Sequence, residues 1–182
     1  SELTRQISRL NPSEVILIDN SEYILYQINR SLLNIYGDKI NWNLQLVDVC
    51  DEKTMEIVFE RLKPDVVFHA AAFKHVPMGE SNPIEMLKNN VIGTKNVVKL
   101  ALKYKISSLT FISTDKAVEP CNIMGASKRI GEMMVRAAAK ETKISVCSVR
   151  FGNVLDSAGS VLPLFEEQIS RGGPVTVTHK DV

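Results

Sequence analysis

Ser113, Thr114, Asp115 and Lys116 stand side by side: two hydroxyls, a carboxylate and an ammonium in one short segment. Such groups relay, donate and accept protons, so the segment has the parts for general acid–base chemistry if a rigid element presents it. Lys128 follows Met124 at an interval of one helical turn, which puts both on one helix face. A lysine there can bond ribose hydroxyls and favour ionisation of a nearby hydroxyl by its charge; the plain alternative is a solvated helix lysine. Asn90 lies within a helical stretch, where asparagine is a poor former. Buried, it would bond backbone or a water chain leading to Lys128, whereas its neighbour Asn89 suits the surface.

Other polar residues fall at the ends of apolar runs. Asp19 closes VILID (15–19). In a dinucleotide-binding fold an acid here accepts hydrogen bonds from the adenosine ribose, and the lack of a closely following arginine favours NAD over NADP. Capping the helix that starts near Ser21 is an equal alternative. Asp48 and Val49 could bond the amino edge of an adenine and wall its ring, or form an ordinary turn. Ala70, Ala71 and Ala72 are small enough to let a ligand approach the backbone, or to let a helix pack on a strand. Lys74 and His75 reach over the same rim, toward a substrate or toward solvent. Asn153 and the loop through Ser160 offer donors ahead of a helix N-terminus, a place suited to a phosphate or diphosphate.

These residues need a common scaffold. Strands are predicted at 15–19, 44–49, 65–72, 108–114 and 144–154, and helices at 1–10, 21–37, 53–63, 84–104, 127–141 and 160–171. The last residues, PVTVTHKDV, read as a further strand entering a turn. Continuous apolar strands alternating with helices make a parallel sheet covered on both faces. The expected fold is a doubly wound, Rossmann-like α/β domain, whose ligands bind beyond the carboxyl ends of the strands. Its 182 residues, 45% hydrophobic and 24% charged, suit one globular domain. A net charge of +1 argues against an electrostatic nucleic-acid binder. No apolar run approaches the roughly 20 residues that span a bilayer. Cys50, Cys121 and Cys147 are too few and scattered for a disulfide framework or a zinc site, so buried or half-buried free thiols and no metal are expected.

Four long segments carry a more specific signal: HAAAFKHVPMGESNPIE (69–85), NNVIGTKNV (89–97), FISTDKAVEPCNIMGASKR (111–129) and RFGNVLDSAGSVLPLF (150–165). With them the chain resembles the extended short-chain dehydrogenase/reductase superfamily, and within it the polysaccharide-biosynthesis nucleotide-sugar 4,6-dehydratases acting on UDP-N-acetylglucosamine. The resemblance implies bound NAD, a UDP-sugar substrate, and loss of water to give a 4-keto-6-deoxy sugar. It implies Asp115 as the acid at C6, Lys116 as the base at C5, Thr114 and Ser113 at the C4 hydroxyl, and Lys128 on the nicotinamide ribose. A tyrosine is expected four residues before Lys128; Met124 stands there, as in the larger, membrane-anchored branch of that family. The proton acceptor at C4 is then open, with Thr114 relaying to Asp115 or Lys128 as the hypothesis. A glycine-rich phosphate loop is expected ahead of SELTRQI, so residues 1–182 read as an NAD-binding fragment lacking that loop and the C-terminal substrate-binding part. Cytoplasmic placement follows, with anchoring of the parent chain at the inner face of the membrane left open. A homo-oligomer is implied through helices 84–104 and 127–141, with Met133 and Met134 as candidates for its surface. The rivals are a nucleotide-sugar 4-epimerase, which needs no acid–base pair for water loss, and a noncatalytic NAD-binding domain.

Overall fold

Apolar runs flanked by turn residues become parallel strands. In the computed structural model, which describes residues 2–152 and 161–175, the strands are β1 (Glu14–Asp19), β2 (Asn41–Leu46), β3 (Val66–His69), β4 (Ser108–Thr114) and β5 (Ser145–Phe151). The helices are α1 (Glu2–Ser8), α2 (Glu22–Tyr36), α3 (Glu52–Leu62), α4 (Val76–Ser81), α5 (Pro83–Leu87), α6 (Gly93–Lys103), α7 (Ile123–Glu141) and α8 (Val161–Ser170). β1 pairs with β2, and β3, β4 and β5 pair in that order, every neighbour parallel. This is the α/β class with a parallel sheet and helical crossovers, as the alternation predicts. Among the described residues β1 has no ladder with β3, so each keeps one unpaired edge.

Local chemistry sets the helix starts. The Ser21 Oγ accepts a hydrogen bond from the Ile24 amide at 3.3 Å, Asp51 accepts from the Thr54 amide at 3.2 Å, and Asn122 accepts from the Gly125 amide at 2.8 Å. Each satisfies one of the free N–H groups of a helix's first turn. α2 stops at Gly37, whose positive φ of 57° favours glycine. The core joins α3, α6 and α7 to the strands through Met55, Phe59, Leu100, Leu109, Phe111 and Val135, all buried. β4 lies centrally in its sheet and alternates: Leu109, Phe111 and Ser113 face inward.

Several expectations change. β2 spans 41–46 rather than 44–49, so Asp48 and Val49 lie in the turn that follows. β3 ends at His69, which leaves Ala70–Ala72 in a loop. The predicted single helix 84–104 is α5, one turn of π-helix (Lys88–Ile92) and α6, preceded by the unpredicted α4. α7 starts at Ile123 rather than at 127, because Asn122 caps it, and so Met124 lies in its first turn. Cys50 is half-buried, but Cys121 and Cys147 are exposed. The predicted terminal strand, apart from its first residues, lies outside the described residues, as do Asn153 and Ser160.

Candidate active site at the carboxyl end of β4

β4 ends on extended backbone at Thr114 and turns at once into a 3-10 turn, Asp115–Ala117. The Thr114 Oγ1 donates to the Asp115 Oδ1 at 2.8 Å, and the Lys116 amide donates to the same oxygen at 2.8 Å. The Lys116 ammonium stands 3.3 Å from it. The Thr114 hydrogen bond, helped by Lys116, holds the Asp115 carboxyl below its ordinary range. Of the predicted cluster, Thr114, Asp115 and Lys116 are connected, and Ser113 is not part of the set. The set is presented by the most securely packed strand and is open to solvent at Asp115.

α7 brings Lys128 beneath this end. Its Nζ donates to the Ile112 carbonyl at 2.8 Å and lies 4.8 Å from the centre of the Phe111 ring. Burial pushes its pKa down to about 8. An ammonium has three N–H groups, and among the described residues the Ile112 carbonyl is the hydrogen-bond acceptor that Lys128 has. The remaining donors suit ribose hydroxyls. Met124, one turn earlier, is buried, so no phenol stands at this position. The turn at 115–117 and the start of α7 touch at Gly125, where an added Cβ would lie 2.4 Å from the Lys116 carbonyl oxygen.

Asn90 sits in the π-turn and is 1% exposed. Its Oδ1 accepts from the Phe73 amide at 2.8 Å, and its Nδ2 donates to the Phe73 carbonyl at 3.0 Å and to the Ser127 Oγ at 2.9 Å. It thus ties the loop after β3 to the residue beside Lys128. The extra residue of a π-turn turns Asn90 inward to make these bonds. His69 lies behind, fully buried. The Thr94 Oγ1 donates to the Asn90 carbonyl at 2.6 Å and lies 2.9 Å from the His69 Nε2. That order of donors assigns the His69 proton to Nε2. Burial, with the Lys128 charge second, lowers its pKa to about 3, so it stays neutral.

Ser113 is turned the other way from Thr114. Its hydroxyl donates to the Glu132 Oε1 at 2.7 Å. The remaining predicted residues divide. Asp19 ends β1, half-buried, and its Oδ1 accepts from the Ser21 amide at 2.9 Å, while Ser21 itself caps α2. Asp48 is exposed and accepts from the Cys50 amide at 2.8 Å. The Val49 side chain is turned into the core against Gly93. Ala70 and Ala71 are exposed and Ala72 half-buried, leaving backbone accessible; Lys74 and His75 are exposed at the start of α4. Asp19 and Asp48 belong to the β1–β2 sheet, and Thr114, Asp115, Lys116, Lys128 and Asn90 to the other. An acid beyond β1, accessible small-residue backbone and a buried lysine with spare donors form a donor set that fits a dinucleotide. Sequence reasoning missed Glu132, Ser127, Thr94 and Glu80, whose carboxylate accepts from the Ile123 amide at 2.7 Å and caps α7 from α4. Glu132 had a signal, its place four residues after Lys128.

Residues 1–182 match the family described as polysaccharide biosynthesis protein. The capsular polysaccharide biosynthesis protein CapD of Staphylococcus aureus is 46% identical over all of this chain, which spans 31% of the length of that relative. A UDP-glucose 4-epimerase of Rickettsia canadensis is 45% identical over 63% of the chain and 34% of its own. The crystal structure of Pen from Bacillus thuringiensis superposes with a TM-score of 0.86 at 33% identity, over 98% of this chain and 54% of that one. No helix among the described residues is long and apolar enough to cross a membrane.

Proposed function

The chain belongs to the polysaccharide biosynthesis protein family, and on that premise we propose that it forms the NAD-binding part of a nucleotide-sugar 4,6-dehydratase acting on UDP-N-acetylglucosamine. The observation that carries this reading is the Thr114–Asp115 hydrogen bond with the Lys116 ammonium on the same carboxylate. An acid and a base side by side are what loss of water across C5 and C6 demands.

NAD, when bound, supplies the hydride acceptor that makes C4 a ketone and the donor that later reduces C6. Lys128 would hold the nicotinamide ribose with the N–H groups that Ile112 leaves over, and Asp19 the adenosine ribose with the carboxylate oxygen that Ser21 leaves over. Ala70–Ala72 would admit the dinucleotide backbone, and Asp48 would meet the adenine edge. Lys74, His75, Asn153 and Ser160 are assigned to the UDP-sugar.

The chain's own groups move the protons. Asp115 rests as a carboxylate, held so by Thr114 and Lys116. It therefore takes a proton before it can give one. Thr114 accepts the C4 hydroxyl proton and passes its own to the Asp115 Oδ1, the oxygen to which it already donates. Lys116 acts as a base only as the free amine, so its ammonium first gives one proton to solvent. Asp115 then delivers its proton to the C6 hydroxyl, which leaves as water once the Lys116 amine has removed the C5 proton. Lys116 returns its proton to C5 as the C6 carbon is reduced. The proton lost at C4 thus departs in the water, and no tyrosine is needed where Met124 stands.

Mass spectrometry of the sugar product tests the reading, using the full-length protein and UDP-N-acetylglucosamine. Loss of one water without net accumulation of NADH supports it; an unchanged mass rejects it for that substrate. The second reading is a 4-epimerase, favoured by the identity to the Rickettsia enzyme over 63% of the chain. Proton NMR of the same sample separates an epimerised sugar from an untouched one, and an untouched one points to a noncatalytic domain or to another nucleotide sugar.

A further inference from the structure

Glu132 lies on α7, four residues past Lys128, and is 7% exposed. Its carboxylate is fully committed. Oε1 accepts from the Ser113 hydroxyl at 2.7 Å and the Arg150 Nε at 2.8 Å; Oε2 accepts from the Arg150 Nη2 at 2.7 Å and the Arg129 Nη1 at 3.3 Å. The arginine fork is bidentate, the geometry that fixes direction as well as distance. Ser113 and Arg150 are register partners across β4 and β5, so one carboxylate grips both strands at the same rung.

That rung is the one beside the chemistry. The preceding residue, Ile112, holds Lys128 through its carbonyl; the following residue, Thr114, begins the hydrogen bonds to Asp115. We infer that Glu132 is a positioning residue: by gripping Ser113 and bracing that grip on Arg150, it sets Thr114 and Lys128 at a fixed separation. The role rests on the dehydratase reading above. Stability alone does not account for a buried carboxylate, since desolvation cancels much of the attraction in such pairs and apolar side chains of similar volume stabilise as well. What an apolar pair lacks is a directed bond to Ser113.

The test uses the full-length protein with UDP-N-acetylglucosamine. Glu132→Gln and Ser113→Ala are each expected to lower kcat about tenfold and leave KM within about twofold, and the double variant to fall no lower than the worse single one, because residues acting as a unit are not additive. Losses that multiply would overturn the inference. Glu132→Met with Arg150→Met removes both charges and is expected to restore the melting midpoint while kcat stays low; wild-type kcat in that variant would also overturn it. Amide hydrogen exchange over residues 112–116, measured without substrate, is expected to quicken in Glu132→Gln, and unchanged exchange means there is no grip. A wild-type protein that leaves UDP-N-acetylglucosamine unchanged refutes the dehydratase reading instead, and the exchange measurement still decides whether Glu132 holds β4.

Discussion

Thr114 and Lys128 carry the sharpest expectations at the scale of single residues. Thr114 is bonded to Asp115 and not to Lys128, so of the two relays open in the sequence the Asp115 route has the geometry. Thr114→Val keeps the shape and removes the hydroxyl. It is expected to lower turnover about a hundredfold or more, with no NADH seen in a single-turnover mixture; normal turnover would remove Thr114 from the mechanism. Lys128 makes a prediction about pH. Its pKa falls from the ordinary 10.5 to about 8 in the folded chain through burial, so protonation opposes folding. Stability from this group is full above about 10.5 and is lost as pH falls to about 8. Lys128→Met should therefore melt at a higher temperature than wild type at pH 7, by at most on the order of 3 kcal/mol in stability, and the gap should close as pH rises through that window. NAD affinity, followed by calorimetry, should fall in the same variant. A pH-independent gap would mean that the lysine is not desolvated.

At the scale of elements, the turn at 115–117 and α7 are adjusted to each other at Gly125. A Cβ there would sit 2.4 Å from the Lys116 carbonyl oxygen, which is backbone and cannot rotate away. Gly125→Ala should displace Asp115 and Lys116, cost about 1–3 kcal/mol in denaturant titration, and lower kcat more than it raises KM. Unimpaired kcat would show that the turn tolerates the shift. This contact is invisible in the sequence, as is the π-turn at Lys88–Ile92. β4 was legible because an apolar run bounded by turn residues is a local signal, although the structure alternates its burial, with Leu109, Phe111 and Ser113 inward. The hydroxyl–carboxylate–ammonium cluster followed from adjacency alone. The π-turn did not, because Asn90 earns its inward place from Phe73 and Ser127, which are 17 and 37 positions away. Glu132 escaped for the same reason: the interval from Lys128 put it on the right helix face, but Ser113 and Arg150 became its partners only through strand register. In Val49 the residue type was read correctly as apolar, and the fold turned it inward against Gly93.

The whole molecule places the two halves of the proposed dinucleotide site on different sheets. Asp19 ends β1 and Asp48 follows β2, whereas Lys128 and the proposed relay lie at β4, and among the described residues β1 and β3 each keep an open edge. In the common doubly wound order the strand that carries the glycine-rich turn lies at the centre, between the two strands that take the places of β1 and β3 here. Such a strand would complete both ladders and set Asp19 at a fixed distance from Lys128. The consequence concerns cofactor affinity before it concerns turnover. Residues 1–182 alone should bind NAD at least about tenfold more weakly than the same chain with a glycine-rich strand and turn joined ahead of it, since a strand that links the two ladders fixes the site beforehand and lowers the ordering cost of binding. Isothermal titration on the two proteins measures this directly. Amide exchange in β1 and β3 should slow in the longer one, because open edges expose N–H groups that a paired strand protects. Equal NAD affinity with unchanged exchange would mean that the two sheets already hold their relative place without a central strand.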